Sequence, residues 1–106
     1  MLKITYTEGE ESLCIRLEGH AGAGKWGKDI VCAAASILAY TAAASARQLY
    51  REGKLTSAPY VRLQPGDALL EMEICPETEN LMNVIRNGYT MLSLRYPKFV
   101  RLEEQN

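Results

Sequence analysis

The side chains with the clearest chemistry near neutral pH are one histidine, His20, and three cysteines, Cys14, Cys32 and Cys75. His20 and Cys32 bracket the stretch Gly19 to Leu38, which reads GHAGAGKWGKDIVCAAASIL. The spacing predicts a strand ending at His20, a loop with glycines at 22, 24 and 27, and a helix opened by Asp29. Cys32 then lies in the first helical turn, where unpaired N–H groups and the positive end of the dipole favour thiolate. An imidazole within reach can take the thiol proton, so the pair has the makings of an activated nucleophile. Asp29 has two readings. As an N-cap it accepts from first-turn N–H groups, and its charge then opposes thiolate; directed at His20 instead, it orients the ring and stabilises imidazolium. On residue types alone Cys32 also fits a small buried cysteine, and His20 a surface residue.

Two nucleotide signatures overlap the loop, and neither holds. Gly19-xxxx-Gly24-Lys25 is followed by Trp26 where a P-loop needs the magnesium ligand Ser or Thr. Gly22-x-Gly24-xx-Gly27 lacks the βαβ setting and the downstream acidic residue of a dinucleotide fingerprint. Cys14 falls mid-strand and Cys75 precedes Pro76, so both read as structural.

The elements that must position His20 and Cys32 follow from periodicity. Leu2, Ile4 and Tyr6 alternate with polar residues, as do Leu13, Ile15 and Leu17, and the Thr7–Glu11 stretch between them reads as a hairpin turn. The helix from Asp29 carries Ile30, Ala34, Ile37, Leu38 and Thr41 at helical spacing and ends near Gly53. Its alanines (33–35, 39, 42–44, 46) permit close approach of the sheet or of another subunit. Val61 and Leu63 form a short strand, Gln64-Pro65-Gly66-Asp67 a turn, and Leu70, Met72 and Ile74 a fourth strand. Pro76 opens a second helix with Leu81, Ile85, Gly88 and Leu92 on one face, as far as Pro97. Phe99–Leu102 has the makings of a last short strand. The order ββαββα, with that added strand, predicts an α+β domain of two layers: a mainly antiparallel sheet with two helices on one face.

At 106 residues the chain is read as one domain, residues 1–106, with room for a single core. Its 47% hydrophobic and 24% charged residues suit a soluble globular protein, and a net charge of −1 argues against nucleic-acid binding. Three cysteines without a CxxC argue against a disulfide framework or zinc ribbon and for a reducing, cytoplasmic setting. The alternating, acidic N-terminus does not read as a signal peptide, and the small-residue run Ala33–Ala46 reads as too polar to span a bilayer.

The segment Gly19–Ser36 resembles the signature of the ribosomal-processing cysteine protease family Prp. The shared features are Gly19-His20-Ala21, Gly24, Trp26-Gly27 and the run Asp29 through Ser36; Ala23, Lys25 and Lys28 depart from a loop that is more often acidic. The resemblance implies a small cytoplasmic bacterial endopeptidase. Such an enzyme removes the N-terminal extension of a large-subunit ribosomal protein precursor, cutting after a hydrophobic, phenylalanine-containing motif. It implies His20 as general base, Cys32 as nucleophile, Asp29 and Ser36 in support, and residues 21–28, with Gly22, Gly24, Trp26 and Gly27, as a substrate flap. It further implies a homodimer that uses no cofactor or metal and contacts neither nucleic acid nor membrane. The alternatives are a non-catalytic ribosome-associated peptide-binding module and a thiol redox sensor in which Cys32 is reversibly oxidised.

Overall fold

The computed structural model describes residues 1–25 and 29–105. Five strands and two helices alternate as β1 (Leu2–Glu8), β2 (Ser12–Glu18), α1 (Ile30–Arg51), β3 (Tyr60–Gln64), β4 (Asp67–Glu73), α2 (Pro76–Arg95) and β5 (Val100–Gln105). The strands form one sheet in the order β3-β4-β2-β1-β5. β5 runs parallel to β1 and every other pairing is antiparallel. The architecture is thus the expected α+β arrangement. The last strand is real, and because α2 carries the chain across the sheet it enters parallel rather than as a hairpin partner.

Register places one apolar set on the helix side. Ile4 pairs with Leu17 and Tyr6 with Ile15, while Leu13 faces Met72 and Ile15 faces Leu70 on the other flank. These side chains are buried, whereas the alternate residues Arg16 and Glu71 point outward into solvent. Outward charges pair across and along the strands: Lys3 with Glu103, Arg16 with Glu18 and Arg62 with Asp67.

α1 meets this core through its alanines. Of its residues at helical spacing, Ala34 and Leu38 pack half-buried against the core, whereas Ile30, Ile37 and Thr41 are exposed, with Ile30 at 66% and Ile37 at 60%. Its buried face is Val31, Ala35, Ala39, Ala42, Ala43 and Ala46. The physical reason is room, since only methyl-sized side chains let the α1 backbone lie this near the sheet and α2. Two contacts fix that distance: the Tyr89 hydroxyl donates to the Ala35 carbonyl at 2.9 Å, and Leu38 lies over the bare Cα of Gly88. The same composition corrects the sequence estimate of polarity. By length and hydropathy α1 is apolar enough to cross a membrane, and its buried alanines and Val31 line the core while Ile30 and Ile37 stay exposed.

α2 opens on Cys75 as N-cap, with Thr78 answering it. Thr78 Oγ1 accepts from Cys75 N–H at 2.9 Å and donates to the Glu73 carbonyl at 2.7 Å, fully buried. The helix ends at Arg95, two residues before Pro97, which cannot be preceded comfortably by helical backbone. The close packing of α1 gives a measurable expectation. Ala46→Leu should destabilise the protein by about 1–3 kcal/mol in urea titration, whereas Ala44→Leu on the exposed face should stay within about 0.5 kcal/mol.

Candidate active site

β2 does not reach His20 as expected; it ends at Glu18 because Gly19 turns the chain with φ +86°, a conformation a side chain resists. A Cβ there would also come within 2.8 Å of the Met1 carbonyl oxygen. His20 therefore leaves the strand's alternation and lies exposed at its end. Gly19 N–H donates to the Gly66 carbonyl at 2.9 Å, which ties this exit to the β3–β4 turn.

The thiol is met from the loop by a backbone donor. Cys32 is the third residue of α1 and half-buried, and its Sγ accepts the Ala21 N–H at 3.3 Å. Asp29 sits just before the helix with extended backbone. Its Oδ1 accepts from Val31 and Cys32 N–H at 2.9 and 3.0 Å, and its Oδ2 from Ala23 N–H at 2.9 Å. Burial pushes this carboxyl up. The N–H groups of Cys32, Ala23 and Val31, with the Cys32 thiol adding to them, outweigh burial and hold it below the usual carboxylate range. The capping role of Asp29 is thus present. Both oxygens accept backbone N–H groups, so the carboxylate braces the loop against the helix, and among the described residues no hydrogen bond joins it to His20.

His20, Cys32, Asp29 and Ser36 line one cavity of about 470 Å³, together with Gly22 and Gly24. Trp26 and Gly27 lie outside the described residues. Ser36 is one turn beyond Cys32 on the same helix face, which places its hydroxyl side in the cleft. The structure also supplies a wall that no sequence motif announced. The turn from Gln64 to Asp67 faces α1 across the cavity, and Leu63, Ala68, Leu17 and Ala39 make an apolar floor beneath it. The Pro65-Gly66 pair signalled a turn but gave no hint that the turn would return to His20.

Chemically, this is a cleft with a thiol, an imidazole and an apolar floor large enough for bulky side chains. The other two thiols lie elsewhere. Cys14 alternates with the inward residues Leu13 and Ile15 and so faces the opposite side of the sheet, where burial and the Glu71 carboxylate push its pKa up despite Arg16. Cys75 follows β4, whose seven residues carry it about 20 Å from the cleft end of that strand. All three cysteines are free, and neither Cys14 nor Cys75 is placed to resolve an oxidised Cys32, which removes the intramolecular disulfide that a redox sensor would use.

The fold has solved counterparts. Prp from S. aureus, in complex with a covalently linked product peptide, superposes with a TM-score of 0.78 at 19% identity over 98% of this chain and 99% of that one. The same enzyme in complex with a substrate peptide gives 0.68 at 16% identity, over 98% and 99%. SMU.848 from Streptococcus mutans gives 0.68 at 25% identity over 100% of this chain and 96% of its own. No curated protein sequence matches the chain. The family model for cysteine protease Prp matches residues 1–101, which contain the whole cleft and both helices. The chain belongs to the cysteine protease Prp family.

Proposed function

We propose that this protease removes the N-terminal extension of a ribosomal protein precursor, with Cys32 as nucleophile and His20 as general base. The observation that carries the assignment is the seat of Cys32. It lies in the first turn of α1, in the cleft shared with His20, with the Ala21 N–H directed at its sulfur. The substrate class is supported by likeness, since the S. aureus counterpart of the same fold is a ribosomal processing protease crystallised with substrate and product peptides.

The chemistry is acyl transfer. His20 takes the Cys32 proton and the thiolate attacks the scissile carbonyl. The tetrahedral intermediate then collapses, with imidazolium protonating the leaving amine, and water hydrolyses the thioester. The Ala21 N–H stabilises negative charge on sulfur before attack. Oxyanion donors come from the glycine loop rather than from the start of α1. The Val31 and Cys32 N–H groups are taken by the Asp29 carboxylate and that of Ala33 by the Asp29 carbonyl. Ser36 supports the nucleophile's side of the cleft, and the segment with Gly22, Gly24, Trp26 and Gly27 covers the peptide. The apolar floor suits the hydrophobic residues of the cleavage motif.

Two further parts of the reading rest on the surface and the thiols. The exposed Ile30 and Ile37 of α1, with Met91 and Leu94 of α2, are the surface for a second copy in a homodimer. Free, unpaired cysteines suit a cytoplasmic setting. Sedimentation equilibrium should show a dimer that Ile37→Glu converts to monomer; a monomeric wild type would remove the dimer from the account.

The direct test is mass spectrometry of the precursor after incubation with the enzyme. One N-terminal cut is expected with the wild type. Cys32→Ala and His20→Ala should each lower the rate by at least about 10³-fold with unchanged circular dichroism. Tight precursor binding without any cut by the wild type would favour the peptide-binding module instead.

Asp29 gives a separate, pH-resolved expectation. Its folded-state pKa lies below the unfolded value, so its contribution is complete above the ordinary carboxylate range and is lost as pH falls through the depressed value. Asp29→Ala should cost about 1 kcal/mol at pH 7, and the gap from wild type should close below about pH 4. A gap that persists undiminished at pH 2 would show that the carboxylate's charge is not what holds the junction.

A further inference from the structure

We infer that Gly66, in the β3–β4 turn, is a positioning residue for His20, its bare Cα serving as the surface against which the imidazole lies. A Cβ built on Gly66 would stand 3.0 Å from His20 Nε2, 3.4 Å from Cε1 and 3.7 Å from Cδ2. The first of these separations is closer than ordinary van der Waals contact allows, and the ring occupies the space a side chain would need. The two residues are also joined through the backbone, because Gly19, whose positive φ turns the chain to His20, donates to the Gly66 carbonyl. The turn itself is tight. Gln64 pairs with Asp67, which leaves Pro65 and Gly66 as the two-residue loop, with Gly66 at φ +73°.

Because the Gln64–Asp67 turn also lines the cleft that holds Cys32, the surface that seats the imidazole belongs to the same cavity as the thiol. His20 is exposed, so a side chain at residue 66 would displace the ring without having to break the core. This inference rests on His20 being the general base.

Two properties of Gly66, the turn angle and the missing Cβ, are separable. Asn tolerates a positive φ but brings a Cβ. Gly53, at the end of α1, has nearly the same φ of +75° with nothing within 4 Å of where its Cβ would lie. Gly66→Asn is expected to lower kcat by about 10²-fold with KM changed by less than about threefold, and to slow alkylation of Cys32 by iodoacetamide at pH 7. Gly53→Asn should leave all three unchanged. Wild-type kcat in a folded Gly66→Asn protein would overturn the inference, as would an equal loss in Gly53→Asn. A measurement on the unaltered protein stands should Gly66→Asn not fold. Nuclear Overhauser contacts between the His20 ring protons and the Gly66 α-protons are expected, and their absence would overturn the proposal. If His20→Ala retains full activity, the assignment of the base fails instead, whatever the ring's position.

Discussion

The carboxylate of Asp29 joins the loop that follows His20 to the helix that carries Cys32. One side chain accepts the N–H groups of Ala23 from the loop and of Val31 and Cys32 from the helix. With both oxygens engaged, Ala23 is held against the start of α1, and the Ala21 N–H faces the thiol. The junction also decides what the helix terminus can do. The N–H groups of Val31, Cys32 and Ala33 are taken by Asp29 and its fixed negative charge sits among them, so an incoming phosphate would meet a carboxylate at this terminus. The glycine-rich loop resembles a phosphate cradle in sequence and is closed to that use by its own cap.

The second constraint is the closeness of α1 to the sheet. Its fully buried residues are alanine and valine, Leu38 packs over Gly88, and Ile30, Ile37 and Tyr40 point away. A helix with Leu or Ile on the inner face would stand further off, widening the cleft between Cys32 and the β3–β4 turn. Small residues thus keep the thiol near the opposite wall, at the expense of leaving Ile30 and Ile37 outside. Tyr89, fully buried with its hydroxyl on the Ala35 carbonyl, pins the helix at this distance.

Much of this was legible in the chain. Period-two alternation in Leu2–Tyr6 and Leu13–Leu17 located β1 and β2, and Asp29 marked the helix start through its capping chemistry. The pairing of β5 was hidden, because a short strand after a helix does not announce whether it joins parallel or antiparallel. The alanines of α1 marked a close-packing face, but whether the sheet or another subunit would cover it was open in the sequence, and Ile30 and Ile37 lie outside that face. The candidate site divides in the same way. His20 and Cys32 stood out by residue type and spacing. The wall from Gln64 to Asp67 lies over forty residues from His20 in sequence, and only the pairing of β2 with β4 brings it there.

In the proposed mechanism Cys32, among three thiols, is the group that accepts the acyl half of the peptide. Acid-quenched turnover of a precursor peptide spanning the cleavage point, followed by peptide mapping, tests it most directly. A transient mass increment equal to the acyl fragment is expected on Cys32, decaying as product appears. An adduct on Cys14, Cys75 or any hydroxyl would contradict it, as would turnover at full rate in Cys32→Ala.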